Sequence, residues 1–133
     1  MIPTGDKGKF DLIVLGYVLQ EVPSAVQRQM IIEALWQRLS DDGVMVVVEP
    51  GSPKGFRFVH SFREWVIQTK TKEEASVIAP CPHMLECPMA RDATNWCHFS
   101  QMTQRYPSKV FPRRAKEPDT INEKFSYLAV QKG

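Results

Sequence analysis

Asp11-Leu12-Ile13-Val14-Leu15-Gly16-Tyr17-Val18-Leu19 is a continuous apolar run with almost no polar alternation. Strands buried on both faces read this way, and they occur in parallel sheets covered by helices. Just downstream, Ser24 stands three residues before Gln27. That spacing predicts a helix with Ser24 as N-cap and Gln27 at the third helical position. Val26, Met30, Ile31, Ala34, Leu35 and Leu39 then recur at helical spacing and form the expected buried face. Asp41-Asp42-Gly43 is the expected stop, with Gly43 taking the positive φ. Val44 to Val48 is a second β-branched run, closed by the turn Glu49-Pro50-Gly51. Phe56, Val59, Phe62, Val66 and Ile67 predict a second helix over 55–70, and Val77-Ile78-Ala79 a short third strand. Lys124 to Val130 reads as a late final strand. Strand–helix alternation of this kind builds an α/β domain, a parallel sheet with helices on its faces. The first strand is expected at a sheet edge.

Size and composition are those of one globular domain: 133 residues, 43% hydrophobic and 24% charged. A net charge of +2 does not by itself point to nucleic acid. No apolar run approaches the roughly 20 residues that span a bilayer, so no membrane partner is expected. Met1 to Lys7 has neither an apolar core nor an Arg-rich amphipathic pattern, and no transit peptide is visible. The charge is unevenly spread. Arg105, Lys109, Arg113, Arg114 and Lys116 occur in a stretch free of carboxylates, with Tyr106 and Phe111 interleaved. Cations neutralise phosphates and rings stack on unpaired bases, so RNA is one reading of this strip. A solvated basic loop is the other.

Residues 80–118 interrupt the α/β pattern with most of the prolines and all the cysteines. A long stretch without elements of its own is usually functional or held by something other than a core. Cys81, Cys87 and Cys97 lie within it, spaced C-x5-C-x9-C, the first two each followed by proline. Clustered thiols in an odd number suggest a metal site rather than an internal disulfide framework. On the residues alone, zinc held by Cys81, Cys87, Cys97 and either His83 or His98 is a workable set. Both histidines could instead orient the thiols through hydrogen bonds, and His60, mid-helix, carries no expected role. Gly16 and Tyr17, at the end of the first strand, are expected to face the crevice where open α/β sheets bind ligands. Glu21 and Glu49 are nearby carboxylates without a partner in sequence, so no catalytic residue is assigned.

The element order is similar to the C-terminal half of a class I methyltransferase (Rossmann-like) sheet, with the 11–19 run as its fourth strand, Val44–Glu49 as its fifth, and a Cys/Pro-rich metal-binding insertion at 80–118. Glu49-Pro50-Gly51-Ser52-Pro53-Lys54-Gly55-Phe56, Ala79-Pro80-Cys81-Pro82-His83, Trp96-Cys97-His98-Phe99-Ser100-Gln101 and Glu123-Lys124-Phe125-Ser126-Tyr127 sharpen this. Together they resemble the methyltransferase-like protein 17 family, assembly factors of the mitochondrial small ribosomal subunit. The resemblance implies a partial methyltransferase-like domain over 1–133, acting in the mitochondrial matrix in support of translation. It implies lost catalysis and contact with small-subunit rRNA and ribosomal proteins. It also implies a 4Fe-4S cluster on four cysteines, three of them Cys81, Cys87 and Cys97. The family's fourth cysteine lies beyond the final strand; the sequence here runs to Gly133, so a cluster would take His98, water or another chain as its remaining ligand. The family's glycine-rich S-adenosylmethionine loop and acidic ribose-binding residue lie upstream, which leaves S-adenosylmethionine weakly supported. An active S-adenosylmethionine-dependent rRNA methyltransferase and a zinc-binding interaction module are the competing readings.

Overall fold

The structure, a computed structural model, describes residues 8–92, 94–104 and 120–133. The elements run β1 (Phe10–Gly16), a 3-10 turn (Leu19–Glu21), α1 (Ala25–Gln37), β2 (Leu39–Pro50), α2 (Pro53–Thr69), β3 (Ala75–Ala79), β4 (Phe99–Gln104) and β5 (Thr120–Lys132). Both helices start on serine caps. Ser24 Oγ accepts from Gln27 N and Ser52 Oγ from Gly55 N, each satisfying one of the free N–H groups of a first turn. Pro53 follows its cap, at a position where the missing N–H costs nothing.

The strand order is β1-β2-β5-β3, with β4 also on β5. β1 and β2 are parallel, as expected; β5 returns antiparallel to β2, β3 and β4. The sheet is therefore mixed rather than parallel, an arrangement consistent with a Rossmann-like fragment. β1 is an edge strand, pairing with β2 alone among the described residues.

β5 organises everything that follows. Along one side, Phe125–Gln131 pair with β2. Along the other, Ala129–Lys132 pair with β3 and Thr120–Phe125 with β4. Ser126, Tyr127 and Leu128 fall between those two ladders and have no strand partner on that side among the described residues.

The core gathers on one face of the sheet. Met45, Val47, Leu128 and Val130 from the strands meet Ile32 and Trp36 of α1 and Phe62 and Val66 of α2. Trp36 packs edge-on against Trp65, ring centres 5.8 Å apart, a favoured aromatic geometry. The expectation of helices on both faces is corrected. Of the β1 run, Leu15 is buried, but Leu12 and Val14 on the other face are exposed.

Three local expectations also change. The buried face of α1 is Ile32–Trp36; Val26 and Met30 are exposed, because apolar residues surround this helix and tertiary packing selects among them. Leu39 belongs to β2, not to the helix. The positive φ before the β2 core falls on Asp42 (64°), not on Gly43. Gly43 answers a different demand, since a Cβ there would stand 2.8 Å from the Leu39 side chain. In the register against β1, Leu39 to Val44 oppose only Phe10 to Leu12, so these residues form an irregular bulge.

Finally, the insertion contains an element that its sequence does not suggest. Phe99–Gln104 is a polar, largely exposed strand, ordered by a partner rather than by an apolar pattern of its own. The basic strip Arg105 to Lys116, with Tyr106 and Phe111, lies outside the described residues; its flanks are brought together where Gln104 pairs with Thr120.

Candidate metal centre

The gap along β5 is where the cysteines meet. Cys81, Cys87 and Cys97 line one recess with Pro80, with Phe56, Val59, His60 and Arg63 of α2, and with Ser126, Tyr127 and Leu128 of β5. β3 delivers the chain to Pro80 and Cys81, and β4 takes it away just after Cys97 and His98. The three thiols are thus brought together by two strands that stop short of each other on a shared neighbour.

Few bonds hold the intervening loop. Ser126 Oγ, itself buried, donates to Cys97 O at 2.7 Å. Trp96 Nε1 donates to Gly51 O at 2.9 Å, tying the loop to the β2–α2 turn. Gly51 fits only as glycine, because a Cβ would lie 2.7 Å from the β5 backbone at Lys124 and Phe125. His83 N donates to Cys81 O and Ala90 N to Cys87 O, short turns around each thiol. Arg63 Nη2 donates to His83 O at 3.0 Å and Leu85 O at 2.7 Å.

The histidines are occupied locally. Leu85 N donates to His83 Nδ1 at 3.1 Å, so that nitrogen is an acceptor and is not free for a metal. His98 Nδ1 lies 3.1 Å from Trp96 O, a carbonyl to which it can only donate. His98 is exposed and is not among the recess residues. His60, expected to be idle, lies on the recess wall with Nε2 3.4 Å from Glu64 Oε1.

Burial pushes the Cys97 thiol up, and the neighbouring Cys87 and Cys81 add to the rise. Cys81 and Cys87 are thus close enough to act on the Cys97 sulfur. Yet among the described residues no three His, Cys, Asp or Glu side chains are grouped tightly enough to hold a metal ion. A tetrahedral zinc with bonds of about 2.3 Å needs its sulfurs within about 4 Å of one another. Three donors thus share one recess, without forming a closed single-ion site among the described residues.

A second recess holds Gly16 and Tyr17 at the end of β1, with Val48, Gln101, Thr103, Glu123 and Phe125. Tyr17 sits in the left-handed region, φ 59°, uncommon for a bulky residue. Its phenol is pushed up, first by burial and then by Glu123 and Glu49. Glu49 is fully buried; Oε1 accepts from Gln20 N at 3.0 Å and Oε2 has no partner among the described residues. Burial raises its pKa, partly offset by bonds from Gln20 and Leu19, with Glu21 raising it further. Glu49 thus braces the 3-10 turn against β2. The carboxylates bias this recess against a phosphate, and no described group there forms a base paired with a nucleophile.

Residues 3–133 match the family described as mitochondrial small ribosomal subunit Rsm22. The chain belongs to the Rsm22 family. It is 31% identical over 137 residues to the human protein named ribosome assembly protein METTL17, mitochondrial, across 99% of this chain and 28% of that protein. It is 29% identical over 142 residues to Rsm22-cox11 tandem protein 2, mitochondrial, of Schizosaccharomyces pombe, across 99% of this chain and 19% of that one. The chain therefore spans less than a third of the length of these relatives. The resemblance drawn from the cysteine and turn motifs is borne out.

Within this Rsm22 chain, two residues of the centre escape a reading by motif. Arg63 falls on the stripe Val59–Phe62–Arg63–Val66, so a charge on a buried helix face was its signal. Ser126 alternates with Leu128 and Val130 on the inward face of β5 and carried a similar one. No helix among the described residues is long and apolar enough to cross a membrane.

Proposed function

We propose that this chain serves assembly of the mitochondrial small ribosomal subunit, within the mitochondrial matrix, without methyl transfer, and carries an iron–sulfur cluster on Cys81, Cys87 and Cys97. Membership in the Rsm22 family and the role for which its human relative is named support the ribosomal part. The observation that carries the site is the convergence of the three thiols on one recess at the β3–β4 gap. The resemblance to a family whose members hold a cluster on four cysteines favours iron–sulfur over zinc. When bound, such a cluster supplies a cross-link between distant points of the insertion and a redox-active centre. The protein supplies the rest: Ser126 sets the Cys97 backbone, and Phe56 and Val59 wall the recess. Contacts with rRNA fall to the basic strip from Arg105 to Lys116, and contacts with ribosomal proteins accompany them.

Anaerobic purification followed by iron, sulfide and zinc analysis tests the site. A brown protein with iron and sulfide supports it; a colourless protein with stoichiometric zinc overturns it. Gradient sedimentation tests the role. The wild-type chain is expected to travel with small-subunit precursors, and Cys81→Ser and Cys87→Ser to lose that association. Unchanged sedimentation of both variants would remove the cluster from binding.

A further inference from the structure

Arg63 is a charge in an apolar place. It lies mid-way along α2, beside Phe62 and Val66, both fully buried, and is itself only 5% exposed. A buried cation is tolerated when paired and hydrogen-bonded. Among the described residues it has no carboxylate partner.

Its donors are unevenly used. Nη2 donates to His83 O and Leu85 O, with His83 Nδ1 3.2 Å away. The one lone pair of Nδ1 is taken by Leu85 N, so the two Nη2 hydrogens go to the two carbonyls. One arm of the guanidinium thus grips the loop midway between Cys81 and Cys87. Nε and Nη1 are buried and have no acceptor among the described residues. A guanidinium carries five N–H donors and no acceptor, so three of the five are unsatisfied. Leaving buried donors empty is costly and marks a place where a further acceptor belongs.

The same side chain lines the recess of the three cysteines. The polar group of Ser126 on that wall is already spent on Cys97 O. A neutral occupant would leave the cation uncompensated. Thiolates and inorganic sulfides together are anionic and accept N–H···S hydrogen bonds, which also tune a cluster's reduction potential.

We propose that Arg63 is the positioning residue of this centre. One arm fixes the Cys81–Cys87 loop, and Nε and Nη1 donate to the sulfur of an anionic, thiolate-bound occupant. This rests on the cluster reading given above. The guanidinium acts through the loop and through charge and ligates no metal.

Arg63→Gln and Arg63→Lys, made in the full chain, test it in two states. In the metal-free protein, hydrogen exchange over 81–87 is expected to speed up several-fold in both variants, because neither replacement reproduces the grip on two carbonyls. After anaerobic reconstitution, iron and sulfide content is expected to fall from wild type to Arg63→Lys to Arg63→Gln. The midpoint potential is expected to shift negative in Arg63→Gln and to stay near wild type in Arg63→Lys, which keeps the charge. Should Arg63→Gln fail to fold by circular dichroism, Arg63→Lys alone decides, through faster exchange at an unchanged potential. Wild-type exchange in the metal-free variants overturns the anchoring, and a wild-type potential in Arg63→Gln overturns the charge pairing. A wild-type chain that takes up neither iron nor sulfide overturns the cluster reading and the charge pairing together, while faster exchange in the variants would still support the anchoring.

Discussion

The α/β frame and the cysteine loop are held by different forces. The frame closes on an apolar core in which Met45, Val47, Phe62, Val66 and Val130 are fully buried. Among its described residues, the loop from Pro80 to His98 buries no side chain to that degree and leaves Leu85 71% exposed. It is fastened instead by directional bonds reaching out of the frame, from Arg63, Gly51 and Ser126. Core packing is non-directional and shared among many groups, so damage spreads. A tether is local, and its loss frees one segment while leaving the rest closed.

Four changes would break or sharpen that contrast. Phe62→Ala removes the largest fully buried side chain of α2 and is expected to cost about 3–5 kcal/mol. Denaturant midpoints by fluorescence and by circular dichroism should fall together, and exchange protection should be lost in frame and loop alike. Persisting protection around Cys97 would show that the loop is an independent unit.

Ser126→Ala leaves the Cys97 carbonyl without its donor, at about 1–3 kcal/mol. Its effect should concentrate at 97–99, visible as faster exchange there against a small change in the global midpoint. Trp96→Phe deletes only the indole N–H to Gly51 O, worth about 1 kcal/mol, and should speed exchange over 94–98 about fivefold with the midpoint unmoved. A lowered midpoint in this variant would mean that the loop supports the frame.

Glu49 gives the smallest effect and belongs to the frame alone. Its folded-state pKa is raised by burial, so the folded chain binds this proton more tightly than the unfolded one. That contribution is complete below the ordinary carboxylate range and is lost as pH rises through the raised value, so stability should decline across mildly acidic pH. Glu49→Gln should flatten the slope in urea midpoints. An equally steep slope in the variant would move the titration to another group, with Glu21, Glu123 and Tyr17 the charged or titratable neighbours.

Legibility in the sequence follows the same divide. Ser24 as a cap, the β-branched run of β2 and the second helix were visible because periodicity and capping act over a few neighbouring residues. The true inward face of α1 was hidden, since its apolar residues surround the helix and only the sheet selects Ile32 and Trp36. β4 was hidden for the opposite reason: Phe99–Gln104 has little apolar signal and becomes a strand only on meeting β5. The cysteine spacing announced a common site. The tethers that shape it, Arg63 and Ser126, come from 20 or more residues away in sequence and leave no short motif.

The central position of β5 also sets a timetable. A chain emerges from its own ribosome N-terminus first, at about 5–20 residues per second. β3 and the cysteines leave before the strand that pairs with β2, β3 and β4. For the few seconds between Ala79 and Thr120, the three thiols exist without the Ser126–Leu128 floor beneath them. Until β5 is made, the thiols are therefore without the strand that gathers them into one recess.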